Sequence, residues 1–166
     1  MPRAGGRTHA TTLPIRAGAP PTARDTGPTA RVRRLVYLRC GADLGPRGRI
    51  LEPGWCEWPG CWSPRTDLHH RLNRKTGGRH GDRADELNQA AWLLATCRDH
   101  HQQVTSPSAA QLVEARAMGW LLREHEDALL VPVLTRHHPV PVLLDNDGGW
   151  ACDEGPAGGG RALVER

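Results

Sequence analysis

Residues 56–71 read CEWPGCWSPRTDLHHR, and residues 93–107 read LLATCRDHHQQVTSP. These two stretches contain the cysteines and histidines whose spacing decides the fold. Over the 46 residues from Cys56 to His101 the order is Cys-x4-Cys, then Asp and His-His, then Cys-x2-His-His. Thiols and imidazoles at such short spacings are the side chains that bind transition metals in proteins.

Two close pairs within this order, Cys56 with Cys61 and Cys97 with His100, fit a tetrahedral zinc site. Each pair would form one short knuckle, and a zinc ion would join the two knuckles. A redox-active thiol pair is an alternative, although its usual spacing is two intervening residues rather than four. Buried thiols without a metal, beside a surface histidine, are a further alternative.

Three histidines, His69, His70 and His101, are left unassigned by this zinc site. Closing the two knuckles on one ion would carry His101 towards the His69–His70 pair. Two of these imidazoles could then hold a divalent ion while the third acts as a base. Polar surface histidines are the alternative.

The motifs CEWPGCWSPRTDLHHR, GGRHG and LLATCRDHHQQVTSP resemble the HNH endonucleases, in particular the small cysteine-framed type of actinobacteria and their phages. The resemblance covers residues 56–107 well and extends loosely to about residue 150. It implies an α+β fold with a ββα-metal core, in which a hairpin carries His69 and His70 and a helix carries His101.

The same resemblance implies metal-dependent hydrolysis of phosphodiester bonds in double-stranded DNA, by nicking or double-strand cleavage. His69 and His101 would hold the catalytic divalent ion, and His70 would be the general base. The catalytic metal would be Mg²⁺, Mn²⁺, Ni²⁺ or Zn²⁺, and a histidine-rich site favours the last three. The structural zinc would be held by Cys56, Cys61, Cys97 and His100. A role in phage DNA packaging or mobility, with packaging proteins as partners, also follows from the resemblance alone.

Two positions depart from the family pattern. Trp92 stands five residues before Cys97, where relatives place an Asn that orients the base. Either Asn88, the nearest Asn, reaches His70 from one helical turn away, or another group orients His70. Thr105, four residues after His101, replaces a further metal-binding His with a weakly ligating hydroxyl. The rival interpretation is therefore a catalytically silent zinc module that binds DNA or a packaging protein. Adjacent residues of a regular strand also face opposite ways, so we expect a bend at His69 and His70.

The charge distribution fits a polyanionic partner. Residues 1–39 contain eight Arg and one Asp, whereas residues 124–166 contain eight acidic residues and three Arg. A basic front half suits DNA, although a basic segment by itself identifies no partner. The side chains predicted to bind backbone phosphates are those of Arg71, Arg74, Lys75, Arg79 and Arg83, with a solvated basic loop as the alternative.

The five cysteines and the N-terminal composition favour a reducing compartment. No apolar signal-like region precedes the cysteines, and no apolar run approaches the roughly 18 residues of a membrane span. We therefore expect metal-binding thiols and a cytoplasmic protein (in the host cytoplasm if phage-encoded) that does not enter a membrane. The sequence leaves the oligomeric state open.

Composition and periodicity divide the chain into segments. We expect a disordered basic arm over residues 1–30, a strand or helix over 31–40, a loop over 41–54 and the nuclease core over 55–107. A helix is predicted from Ser108 to the natural stop at Gly119, followed by β segments over 120–134 and 139–150. A flexible tail is expected over 151–166.

Overall fold

The computed structural model describes residues 27–73 and 82–152. Most of the predicted basic arm, most of the predicted tail, and Arg74, Lys75 and Arg79 lie outside these described residues. Within them, helices are combined with short antiparallel strands, which confirms the α+β class. The described part of the chain contains no helix long and apolar enough to cross a membrane.

The first element is helix α1, Ala30–Arg39, where the sequence left strand or helix open. Thr29 caps it, because its side-chain oxygen accepts a hydrogen bond from the Val32 amide. The prediction of a loop over residues 41–54 was wrong, because β1 (Asp43–Leu44) and β2 (Ile50–Glu52) form an antiparallel hairpin. The glycines and proline of this stretch instead form the 3₁₀ turn Pro46–Gly48 that joins the two strands.

The central unit is a strand, a second strand and a helix. Strand β3, Asp67–His70, pairs antiparallel with β4, Leu93–Thr96, and helix α3, Arg98–Thr105, begins directly after β4. In the chain, β3 and β4 are separated by helix α2, Asp82–Leu87, and by the 3₁₀ turn Ala90–Trp92. All four residues of β4 are buried, namely the apolar Leu93, Leu94 and Ala95 and the polar Thr96.

Helix α4, Ala109–Ala117, confirms the helix predicted after Ser108. The Ser108 hydroxyl accepts from the Gln111 amide while the Gln111 side chain accepts from the Ser108 amide, which is a capping box. Gly119 follows with φ of +74°, and a Cβ there would collide with the Pro132 carbonyl. Only glycine therefore allows the chain to turn at this point.

The prediction of β structure over residues 120–134 was largely wrong, since only Val133 forms a bridge, with Val142. The backbone here bonds to non-strand partners, as when the Leu122 amide donates to the Arg71 carbonyl. The later β prediction is confirmed by β5, Val142–Leu144, and β6, Trp150–Cys152. Asp145 forms their turn by accepting from the amides of Asp147 and Gly149.

The strand pair β3–β4 has a buried cluster on each face. On one face Val36 of α1 and Cys40, which follows the helix, pack with Leu93, Ala95 and the partly buried Leu68. On the other face the cluster combines the 56–61 loop, α3 and the C-terminal segment, including Trp58, Leu94, Val104, Trp120 and Val142. Residues 108–150 therefore share one core with the strand–strand–helix unit.

A buried ion pair joins α1 to this unit. The Arg39 guanidinium donates to both carboxylate oxygens of Glu57, at 2.9 and 3.1 Å, and to the carbonyls of Ala90 and Leu93. Glu57 in turn accepts from the Ala95 amide at 2.6 Å. Each charge is thus hydrogen-bonded as well as paired, which a buried ion pair requires.

Arg71, predicted to bind phosphate, is instead fully buried. Its guanidinium donates to the carbonyls of Gly119, Ala91, Ala128 and Val131, at 2.8 to 3.3 Å. Burial lowers the pKa of Arg71 to about 9, so the side chain keeps its charge at neutral pH. The phosphate-binding prediction is wrong for this residue, because its charge satisfies carbonyls that no strand or helix partners.

We predict that Arg71→Met lowers the free energy of unfolding by about 3–5 kcal/mol, because four buried carbonyls lose their donor. Urea unfolding of the full chain measures this loss. Arg116→Met, at an exposed position on α4, is the matched control and should change the value by less than about 0.5 kcal/mol. Equal stability of the two variants would contradict a structural role for Arg71.

Candidate metal centre and histidine cluster

Four ligand atoms, those of Cys56, Cys61, Cys97 and His100, lie within 4.8 Å of one another. His100 Nδ1 is 3.1 Å from Cys97 Sγ and 3.6 Å from Cys56 Sγ. A tetrahedral zinc ion would separate such atoms by about 3.3–3.8 Å, given zinc–ligand distances of 2.0–2.3 Å. The residues predicted as the zinc site therefore fit a metal ion such as zinc.

Local structure explains how the two knuckles form. The 56–61 loop turns at Gly60, with φ of +73°, and the Cys61 amide donates to the Trp58 carbonyl. Cys97 is the residue that caps α3, and His100 lies in the first turn of that helix. The Trp58 ring stacks on the His100 imidazole, with centroids 4.9 Å apart and planes at 15°. The stack fixes the orientation of the imidazole.

The electrostatics of the cluster suit a cation. Burial raises the pKa of the Cys56 thiol to about 12, so this thiol is protonated unless a cation stabilises the thiolate. Burial also raises the pKa of Cys61, but hydrogen bonds involving Ser63 and the neighbouring thiols bring it below the usual value. Burial lowers the pKa of His100, which keeps the imidazole neutral as a ligand must be.

His69 and His101 come together beside this cluster. Their ring centroids are 6.1 Å apart, and two imidazoles that share a metal at about 2.1 Å per nitrogen have centres roughly 5–6.5 Å apart. His69 Nε2 donates to the Trp120 carbonyl at 3.2 Å, which leaves the lone pair on Nδ1. Burial lowers the pKa of His69 to about 3, so the ring is neutral at physiological pH.

Asp67 is a residue of this cluster to which the sequence assigned no role. Its Oδ1 lies 3.9 Å from His101 Nδ1 and 3.7 Å from an Arg98 guanidinium nitrogen. The signal was available, because Asp67 and His69 are two apart on β3 and residues at that spacing share one face. No comparable sequence signal exists for the Trp120 carbonyl, which lies 51 residues from His69.

His70 contacts a different partner. Its Nε2 is 3.1 Å from Asn88 Oδ1, so Nε2–H donates to the amide oxygen and Nδ1 carries the lone pair. The bend that was expected at the histidine pair is not seen as a β-bulge. The strand register is regular from Asp67↔Thr96 to His70↔Leu93. His69 and His70 therefore leave the strand towards opposite faces.

The remaining predicted residues take varied positions. Thr105, the doubtful metal ligand, is the last residue of α3 and is exposed. Trp92 is 1% exposed and packs in the core. Arg83, considered for phosphate binding, forms an ion pair with Glu86 at 2.6 Å and lies over the Trp92 ring.

No protein-family model matches the chain, and the comparisons with curated proteins and with solved structures find no match. What the described residues support is a small α+β module with a cysteine–histidine cluster that can bind a metal ion.

We predict that Cys56→Ser removes bound metal and lowers the melting temperature together, because one knuckle is released. The metal content is measured by atomic emission and the melting temperature by calorimetry. Cys152→Ser, at an exposed cysteine outside the cluster, is the matched control and should change neither value. Full metal retention by Cys56→Ser would contradict the assignment.

Burial of neutral His69 should make stability depend on pH. An imidazole with a pKa of 6.5 in the unfolded chain and about 3 in the folded chain stabilises the fold fully above pH 6.5, and this stabilisation is lost as the pH falls towards 3. By pH 5 the loss is about 2 kcal/mol. Urea unfolding at pH 7 and pH 5, without added divalent metal, should show this extra loss in wild type relative to His69→Gln. Equal losses in the two proteins would show that His69 is not buried as a neutral ring.

Proposed function

We propose that this protein is a metal-dependent DNA endonuclease of the HNH type. One observation carries the proposal: the strand–strand–helix unit brings His69 and His101 to 6.1 Å directly beside the cysteine–histidine cluster. The sequence motifs imply a hairpin that carries the paired histidines and a helix that carries the last one, and the approach of β3 to α3 supports that implication. The resemblance names the reaction. The approach of His69 to His101 supports it, whereas the regular register that sends His69 and His70 to opposite faces counts against action on a shared phosphate.

His69 and His101 would hold the divalent ion, with the Asp67 carboxylate as an additional oxygen donor near His101. The Trp120 carbonyl accepts from His69 Nε2 and so fixes the tautomer of the ring. A backbone carbonyl is a usual hydrogen-bond partner for the second nitrogen of a metal-binding imidazole. When bound, the divalent ion would stabilise negative charge on the phosphate in the transition state. A site built on two imidazoles suits Mn²⁺, Ni²⁺ or Zn²⁺ better than Mg²⁺.

His70 is the proposed general base. The lone pair on Nδ1 would take the proton of a water molecule as that water attacks the phosphorus atom. Asn88 holds the ring in the required tautomer, because its amide oxygen accepts from Nε2–H. Asn88 would thus position the base from the turn that follows α2, 18 residues away in the chain, although Trp92 occupies the place of the family's Asn.

A catalytically silent module that binds DNA or a packaging protein is the second candidate. The cysteine–histidine cluster is the one group of three or more possible metal-ligating side chains that residues 27–73 and 82–152 bring together. His69, with 2% of its surface exposed, is also poorly accessible to an incoming ion. In this alternative the histidines would be packing groups around Trp120.

We predict that the purified chain nicks supercoiled plasmid only when divalent metal is added, and that His70→Ala reduces the rate by at least about 100-fold. Asn88→Ala should reduce the rate about 10–100-fold, as is typical when the partner of a catalytic histidine is lost. Gel assays measure the rates, while zinc content and thermal unfolding establish that the variants are folded.

The matched control is His125→Ala, at an exposed histidine outside the cluster, which should nick at the wild-type rate. If wild type and His70→Ala give the same trace of nicking, the endonuclease proposal is lost. Retained DNA binding in that case would favour the silent module.

A further inference from the structure

A groove of about 970 Å³ lies between α1 and the β1–β2 hairpin, separate from the histidine cluster. Four of the residues that line it are arginines, and none is acidic. On the helix wall these are Arg31, Arg33 and Arg34, and on the hairpin wall the arginine is Arg47. The groove therefore presents positive charge from two sides, which favours an extended anionic ligand.

The arginines of the groove differ from those used in the core. Arg39, on the same helix, forms the buried ion pair with Glu57. Arg31, Arg34 and Arg47 are exposed instead. The Arg34 guanidinium reaches the hairpin wall, since a Cβ on Gly48 would lie 3.6 Å from its Nη1. Cations from the two walls thus approach each other across an open surface.

Arg47 also has an unusual backbone. Its φ is +59°, and it is the one non-glycine residue with positive φ among the described residues. The left-handed region disfavours a long side chain, and glycine would adopt it without strain. Strained backbone conformations often occur at ligand-binding sites.

The end of α1 that enters the groove is also positively polarised. The first turn of α1 contains no acidic residue, although carboxylates there would offset the partial positive charge of the helix N-terminus. Arg31, Arg33 and Arg34 add like charge to this end. Such an arrangement destabilises the helix in isolation, and a bound anion would relieve it.

We propose that this groove binds the sugar–phosphate backbone of double-stranded DNA. The choice of DNA as the anion rests on the proposed endonuclease function, and the anionic character of the ligand rests on the groove itself. α1 packs on the face of the strand pair that carries Leu68, and His70 belongs to that face by strand alternation. The groove would thus hold a flanking part of the duplex while the histidine cluster contacts another.

The test is a titration of labelled duplex DNA with the full chain in the His70→Ala background, without added divalent metal. Fluorescence anisotropy at several salt concentrations gives the affinity and its salt dependence. Adding Arg34→Gln and Arg47→Gln should weaken binding at 0.1 M salt at least about tenfold and reduce the salt slope by about 1.8. The matched control, Arg49→Gln with Arg116→Gln, removes the same charge at exposed positions that do not line the groove.

Equal loss in the two double variants, or an unchanged salt slope in the groove variant, would overturn the proposal, because net charge alone would then explain binding. The proposal would also be overturned if the groove variant lost affinity for a polyglutamate peptide but not for DNA. Arg47→Gly separates fold from function. Glycine adopts the left-handed backbone of residue 47 without strain, so the melting temperature should not fall. DNA affinity should fall, because the Arg47 charge is lost, and unchanged affinity would count against the groove proposal.

The outcome is distinguishable from that of the nuclease proposal. A wild-type chain that never nicks plasmid, but whose DNA affinity depends on Arg34 and Arg47, would leave the groove proposal standing. If the chain nicks plasmid in a His70-dependent manner but its DNA affinity does not change when Arg34 and Arg47 are replaced, only the groove proposal is overturned.

Discussion

The structure depends on the junction at which β4 ends and α3 begins. There the Cys97 thiol and the His100 imidazole meet Cys56 and Cys61, within the reach of a single metal ion. The cluster fixes the 56–61 loop against the first turn of α3. Because His101 is the next residue on that helix, its direction follows from that of His100. One cluster of ligands therefore determines both the joining of the elements and the approach of His101 to His69.

A series of ring contacts extends this constraint into the C-terminal segment. Trp58 stacks on His100, Trp120 packs against Trp58 with centroids 4.8 Å apart, and the His69 ring lies against Trp120 at 6.4 Å. Trp120 also accepts from His69 through its carbonyl. The segment after α4 is thus an integral part of the fold, because its Trp120 orients the buried His69.

Arginine has two opposite roles in this molecule. Arg39 and Arg71 are buried, and their planar guanidinium groups satisfy a carboxylate and several carbonyls at once. Arg31 and Arg34 on α1 and Arg47 in the β1–β2 turn are exposed around an open groove. Sequence position does not separate these roles, because each depends on which carbonyls are left unpartnered nearby. Arg71 was predicted to contact phosphate, whereas its guanidinium donates to carbonyls of the core.

The sequence by itself determined the features that depend on local spacing. The short intervals between Cys56 and Cys61 and between Cys97 and His100, the capping box at Ser108 and the turn after Leu144 are all fixed by neighbouring residues. Tertiary structure alone decided the features that depend on distant contacts. Arg71 reaches carbonyls up to 60 residues away, and Trp120 covers His69. The contact of Asn88 with His70 was one of two alternatives that the sequence left open. Periodicity carries no information about such pairs, because packing and the need to satisfy buried polar groups select them only after the chain has folded.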